Sequence, residues 1–530
     1  MSTLISLSRQ PLLAGFSAGL ALALAACSAS NSDGPSPARS SGQVAGAVQV
    51  QPSAPVPMEQ EAGAERKAKA ELSTNYAPQP NVAPLMVPAS MADAMQPGYR
   101  EEVPREQYQK LADNPIHAVA ETPVSTFSID VDTGSYANVR RFLNEGRLPP
   151  QEAVRLEELV NYFPYAYPLA QGDTPFGIGT ELAPSPWNPN SRLLRVAIKA
   201  SDMQAEQLPP ANLVFLVDVS GSMDRREGLP LVQSTLKLLV DQLRAQDKVS
   251  LVVYAGESRV VLEPTAGSQK AKIRAAIERL SAGGSTAGES GIQLAYRQAQ
   301  QGYLAKGINR ILLATDGDFN VGISDFETLK KLAADKRKTG VSLTTLGFGV
   351  DNYNEQLMEQ LADAGDGNYA YIDSLREARK VLVDQLGSTL AVVAKDVKIQ
   401  IEFNPAQVSE YRLLGYENRA LKREDFGNDK VDAGEIGAGH TVTALYEIVP
   451  TGAKGWLEPL RYQAAPKAEA KSGELALLRI RYKTPGQDSS RLLEVPIQAG
   501  QGAASLAQAS ADLRFAAAVA AFAQQLKGGQ

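Results

Sequence analysis

Between Ala211 and about Leu386 the chain alternates short apolar runs with segments whose apolar residues recur every three or four positions. The runs "LVFLV", "VSLVVYA", "RILLAT", "VSLTTLGFG" and "GNYAYI" predict strands. The first of them, Leu213–Val217, has no polar alternation, which suits a strand buried on both faces of a parallel sheet. Helices are predicted around residues 230–244, 269–280, 288–301, 325–338, 354–364 and 375–386. Strands and helices in strict alternation predict an α/β fold, a doubly wound and mainly parallel sheet with helices on both faces.

The pattern differs on either side. Upstream, in residues 116–210, "STFSIDVDTGS" reads as a strand and turn. "YANVRRFLNEG" then reads as a helix with Tyr136, Val139 and Leu143 on one face and Gly146 as its stop. "RLEELVNYF" repeats the helical pattern and "RLLRVAIKA" reads as a strand, so the segment is small and α+β. Downstream, in residues 387–530, "VKIQIEF", "YRLLGYE", "TVTALYEIV", "LALLRIRY" and "RLLEVPI" are strand-like and separated by turn residues. This β-rich module ends in an Ala-rich helix whose Phe515, Val519, Phe522 and Leu526 share a face, a docking helix and not a membrane span.

Composition changes the picture mainly at the N-terminus. The 530 residues, 44% hydrophobic and 21% charged, are those of an ordinary globular protein with more than one domain. A net charge of −6 gives no reason to expect nucleic-acid binding. Two histidines, His117 and His440, are too few for most histidine-based catalysis or zinc sites. The single cysteine, Cys27, excludes an intrachain disulfide.

That cysteine follows Arg9 and a short apolar run, the layout of a secretory leader too short for a convincing membrane span. Leu24-Ala25-Ala26-Cys27 resembles the bacterial lipobox, which implies cleavage after residue 26 and a lipid on Cys27. Ser28 resembles the residue that permits sorting to an outer membrane. The expected location is the bacterial cell envelope, on the outer membrane or periplasmic face where there are two membranes. Twelve of the 32 prolines lie between Asn31 and Pro115, so residues 27–115 are expected to be a disordered tether.

Candidate chemistry sits at the strand ends. "DVSGSM" places Asp218, Ser220 and Ser222 just past the first buried strand, where open α/β sheets bind ligands. "LSAGGSTAGES" places Thr286 in a Gly-rich loop, and "RILLATDGDFNVG" places Asp316 past another buried strand. Oxygen donors of mixed charge suit a hard cation such as Mg²⁺ better than zinc. The set Asp218, Ser220, Ser222, Thr286 and Asp316 resembles the metal-ion-dependent adhesion site of von Willebrand factor type A domains, and the alternation of strands and helices over 211–386 matches that family. The resemblance implies Mg²⁺, with Mn²⁺ or Ca²⁺ as substitutes, and a partner protein whose Asp or Glu completes the metal shell. "FSIDVDTGSYANVRRFLNEGRLP", "VRLEELVNYFPY", "TALYEIVP" and "LRIRYK" further resemble a bacterial family of A-domain lipoproteins.

Other motifs compete. Asp132-Thr133-Gly134-Ser135 spells the DTGS of aspartic proteases, but no second DTG supplies the partner aspartate. Asp130-x-Asp132 is similar to the acid pair of haloacid dehalogenase-type phosphatases, without the residue their pattern needs at Gly134. Capping of the next helix by Asp132 or Ser135 is the simpler expectation. Tyr162, Phe163, Tyr165 and Tyr167 are expected to pack between modules. The sequence thus predicts a non-enzymatic, membrane-anchored, metal-dependent protein-binding protein. Two alternatives stay open: a structural protein whose metal site is intramolecular, and a hydrolase using Asp130 and Asp132.

Overall fold

The computed structural model describes residues 106–285, 288–317, 326–350, 353–458, 460–461 and 473–528. All of them belong to the second of two units, Gly98–Gln530. The leader, Cys27, most of the expected tether and Thr286 lie outside the described residues.

In chain order the first elements are β1 (His117–Ala118), β2 (Val124–Ser128), α1 (Gly134–Asn144), α2 (Leu156–Asn161), β3 (Phe176–Pro184) and β4 (Arg192–Ala200). The α/β domain follows with β5 (Ala211–Asp218), α3 (Leu229–Gln242), β6 (Lys248–Tyr254), β7 (Ser258–Ala266), α4 (Lys270–Glu278) and α5 (Gly288–Gln301). It continues with β8 (Ile308–Thr315), α6 (Phe326–Arg337), β9 (Ser342–Gly347), α7 (Glu355–Ala364) and β10 (Tyr369–Tyr371). Its last helix is interrupted: α8 (Leu375–Arg379) passes through a π-helical turn at Lys380–Asp384 into α9 (Leu386–Leu390). The chain closes with β11 (Val392–Phe403), β12 (Val408–Leu414), β13 (Ile436–Gly437), β14 (Thr441–Pro450), β15 (Glu474–Lys483), β16 (Ser490–Gln498) and α10 (Ala511–Leu526).

The six-stranded central sheet runs β10-β9-β8-β5-β6-β7, parallel throughout except for the antiparallel pair β6/β7. All eight residues of β5 are buried, because helices cover both faces and the apolar run leaves no polar side to expose. Phe215, Val217, Leu236, Leu239 and Val253 pack on one face, and Val214, Leu216, Ile292, Tyr296 and Leu313 on the other. With β6 on one side and β8 on the other, β5 sits where the winding reverses, the position beyond whose carboxyl end open α/β sheets bind ligands.

The flanking segments interleave. One antiparallel sheet runs β1-β12-β14-β4-β3, and a second runs β13-β11-β15-β16 with β2 also on β11. Residues read from sequence as two separate modules, 116–210 and 387–530, therefore contribute strands to both sheets. Leu194, Val196, Ile198, Phe127, Ile399, Ile401, Tyr446 and Ile480 fill the space between the sheets. Residues 106–115, read as the end of the tether, are packed as well, with Asn114 Nδ2 donating to Leu413 O at 3.1 Å and Gly415 O at 2.6 Å.

The helix α10 docks as expected, with Val519 and Leu526 of the predicted face on the core, but most of the buried positions are small residues beside that face. Leu513, Ala516, Ala517, Ala520 and Ala523 are buried, while Phe515 keeps 45% and Phe522 40% of its surface exposed. Small residues let the helix backbone approach α2, which ring-bearing residues would hold away. The aromatic cluster packs between modules as predicted: the Tyr162 hydroxyl donates to Glu377 Oε2 at 2.6 Å, Phe163 meets Phe515 edge-on at 4.9 Å, and the Tyr167 hydroxyl lies 2.6 Å from Thr443 Oγ1. Among the described residues no helix is long and apolar enough to cross a membrane.

Candidate metal centre

Parallel pairing of β5 with β8 brings Asp218, the last residue of β5, and Asp316, the first past β8, to one end of the sheet. Both are almost entirely buried, at 0% and 1% exposure. Thr315 Oγ1 donates to Asp218 Oδ2 at 2.8 Å, and Ser220 N donates to Asp218 Oδ1 at 2.9 Å. The Ser220 and Ser222 hydroxyls lie 3.0 Å apart. The Gly-rich second loop is held against the first, with Gly221 N donating to Gly284 O at 3.1 Å and Gly283 N to Val219 O at 2.8 Å. Of the five residues read from sequence, Asp218, Ser220, Ser222 and Asp316 are described and lie on these loops, and Thr286 lies outside the described residues, two positions past Gly284.

Burial, and then the charge of Asp316, push the Asp218 carboxyl up to about 6, against hydrogen bonds from Ser220 and Thr315 that lower it. Two buried carboxylates that disfavour each other's charge, beside two neutral hydroxyls, form a donor set that fits a hard divalent cation. Among the described residues no group of three or more histidine, cysteine or acidic side chains is placed to hold a metal ion. A site here would thus depend on hydroxyls as well as acids.

Asp130 and Asp132 lie elsewhere, in a buried ionic cluster between α1, α2, α7 and the turn after β12. Asp132 does not cap α1, whose N-cap Thr133 makes no side-chain cap bond. Its Oδ1 accepts from Tyr369 N at 2.8 Å and its Oδ2 lies 3.2 Å from Arg419 Nη2. Ser135 does not cap either: its hydroxyl donates to Ala153 O at 2.7 Å and accepts from Arg155 N at 2.9 Å. Arg419 Nη2 also reaches Asp130 at 3.3 Å and Glu359 at 3.4 Å, and its Nη1 reaches Asp363 at 2.6 Å. Both oxygens of Asp132 are engaged, and Asp130 and Asp132 are each only 4% exposed, so neither acid of the pair faces solvent.

The same cluster holds groups that sequence reading missed. Glu157 and Glu158 on α2 and Glu355 and Glu359 on α7 are buried. Both carboxylate oxygens of Glu157 and of Glu355 lack a hydrogen-bond partner among the described residues. Burial, with the charge of Glu417, pushes Glu157 up to about 8, and burial also raises Glu355 to about 8 despite Arg155. Nothing local marks these glutamates, because their neighbours come from distant parts of the chain.

Comparison with known proteins agrees with the architecture. Residues 212–385 match the family model for the von Willebrand factor type A domain, residues 388–530 the model "Uncharacterized protein YfbK, C-terminal", and residues 102–195 a model described as von Willebrand factor. The Escherichia coli (strain K12) protein YfbK is 52% identical over 433 residues, covering 80% of this chain and 74% of that protein. Human inter-alpha-trypsin inhibitor heavy chain H4 is 30% identical over 161 residues, 29% of this chain and 17% of that protein. Among solved structures, a von Willebrand factor type A protein from Catenulispora acidiphila covers 62% of this chain and 75% of its own, at 17% identity and a TM-score of 0.38.

Proposed function

The chain belongs to the YfbK family of bacterial von Willebrand factor type A domain proteins, and we propose that it is a non-enzymatic, metal-dependent protein-binding protein. The observation that carries this reading is the pairing of buried Asp218 and Asp316 with the Ser220 and Ser222 hydroxyls at the carboxyl end of β5. Asp218, Ser220, Ser222, Thr286 and Asp316 would hold Mg²⁺, with Mn²⁺ or Ca²⁺ as substitutes. Such an ion would supply positive charge that neutral hydroxyl ligands leave largely uncompensated, and so would attract an Asp or Glu side chain of a partner protein. The chain's own part is to bury the two acids, turn the two serine hydroxyls toward one another and hold Asp218 through Thr315.

The proposal includes the anchor: a lipid on Cys27 and the Pro-rich segment after it would hold this surface off a membrane of the cell envelope. The test is calorimetric titration of Mg²⁺ and Mn²⁺ into the chelator-stripped protein, with Asp218→Ala alongside. Saturable one-site binding, lost in the variant, is the expected result. Equal heats in both proteins would sink the reading.

A further inference from the structure

Residues 106–108 run as a short strap onto the α/β domain and pair with the segment that leads into α7. Gln107 N donates to Tyr353 O at 2.8 Å, Glu355 N donates to Gln107 O at 3.1 Å, and Gln107 and Asn354 form a parallel bridge. Asn354 Nδ2 donates to Gln107 Oε1 at 3.2 Å. The contact continues inward, with Asn354 N donating to Asp316 O at 3.4 Å. Gly317 follows at φ +80°, and a Cβ there would stand 3.0 Å from both Asn354 N and Asn354 O. The Asp316–Gly317 turn is thus pressed against a residue that the strap holds.

The strap is itself fixed. Glu106 Oε2 accepts from Arg141 Nη2 at 2.8 Å and from the Tyr108 hydroxyl at 2.6 Å. The Tyr108 hydroxyl accepts from Asn138 Nδ2 at 2.8 Å, and Asn138 and Arg141 are buried residues of α1. The helix α1, outside the α/β domain, therefore holds the strap through buried side chains, and the strap holds the backbone beside one of the two buried acids.

We infer that Asn354, held by the Gln107 strap, is a positioning residue for Asp316, so that cation affinity depends on a segment upstream of the domain that binds the cation. The inference rests on the cation-binding reading above. Asn354 makes no claim as a ligand: its side-chain oxygen is taken by Leu357 N at 3.0 Å, the N-cap bond of α7. Its backbone is what meets Asp316.

The test uses the full chain carrying Gln107→Pro, which removes the amide hydrogen donated to Tyr353. The milder Tyr108→Phe keeps the ring and removes the hydroxyl between Glu106 and Asn138. Two quantities are measured: hydrogen exchange at the Asn354 and Gly317 amides in chelator, and Mn²⁺ affinity by calorimetry. In Gln107→Pro, exchange at those amides rises about ten-fold and Mn²⁺ affinity falls about three- to ten-fold, while exchange in β6 and β14 is unchanged.

Wild-type exchange and affinity in both variants overturn the inference. Faster exchange through β6 and β14 as well overturns it too, because that marks a general loss of stability. Should Gln107→Pro not fold, Tyr108→Phe decides, with shifts in the same direction and smaller. If the unaltered chain binds no Mn²⁺, the cation reading fails on its own account, and exchange at Gly317 in chelator alone decides the strap.

Discussion

Thr315 Oγ1 donates a 2.8 Å hydrogen bond to Asp218 Oδ2, and accepts one from Gly317 N at 3.1 Å. One hydroxyl so links the ends of two neighbouring parallel strands to the turn after the second. Thr315 and Asp218 are both wholly buried. Thr315→Val keeps the shape and leaves a buried carboxylate oxygen and an amide without that partner, at a cost of about 1–3 kcal/mol. Urea denaturation in chelator measures it. Thr315→Ser, which retains the hydroxyl, is expected to recover most of the loss.

Asp218 also predicts how cation binding responds to pH. Its carboxyl is pushed up to about 6 by burial and by Asp316, and a cation binds the charged form, so proton and cation compete. Affinity for Mn²⁺ is expected to be level above about pH 7 and to weaken by up to about ten-fold per pH unit below about pH 6. Calorimetry across that range checks it. A flat profile would mean that Asp218 does not carry the proton that binding displaces.

A second pH dependence comes from the ionic cluster and concerns stability. Glu157 and Glu355 are raised from 4.5 to about 8. Between those values the folded chain binds protons that the unfolded chain has released, so stability falls as pH rises through that window. Each such proton costs about 1.4 kcal/mol of stability for every pH unit crossed. The chain is therefore expected to be more stable near pH 5.5 than near pH 8.5, by on the order of a few kcal/mol. Glu157→Gln imitates the protonated form and is expected to raise stability at the alkaline end and flatten the profile. Urea midpoints measured against pH decide it.

The α/β domain was legible because its signals are local. The centre of β5, Leu213–Val217, is an unbroken apolar run, and the oxygen donors begin at its last residue, Asp218. What escaped detection depends on distance in sequence. β7 was not anticipated, since Glu263 and Pro264 break its apolar pattern, and proline is tolerated there because β7 is an edge strand. Asp132 looked like a helix cap because its real partners, Tyr369 and Arg419, are more than two hundred positions away. The pairing of β2 with β11 and of β4 with β14 has no local signature either: each strand reads the same whatever it pairs with.

That pairing yields the last prediction. Residues 388–530 match a family model of their own, yet the strands within them are completed by the upstream segment. β11 is hydrogen-bonded to β2 from Lys398 to Glu402, and β14 to β4 from Thr441 to Ile448. Without residues 106–210 both would present open edges, and Ile399, Ile401 and Tyr446 would lose Phe127, Leu194, Val196 and Ile198 from their core. Open apolar edges template aggregation. Residues 388–530 expressed alone are therefore expected to aggregate, and co-expression with residues 98–210 to yield a soluble complex of the two. Size-exclusion chromatography and far-UV circular dichroism check both outcomes. A folded, monomeric 388–530 fragment would show that the upstream strands decorate this core and are not needed to build it.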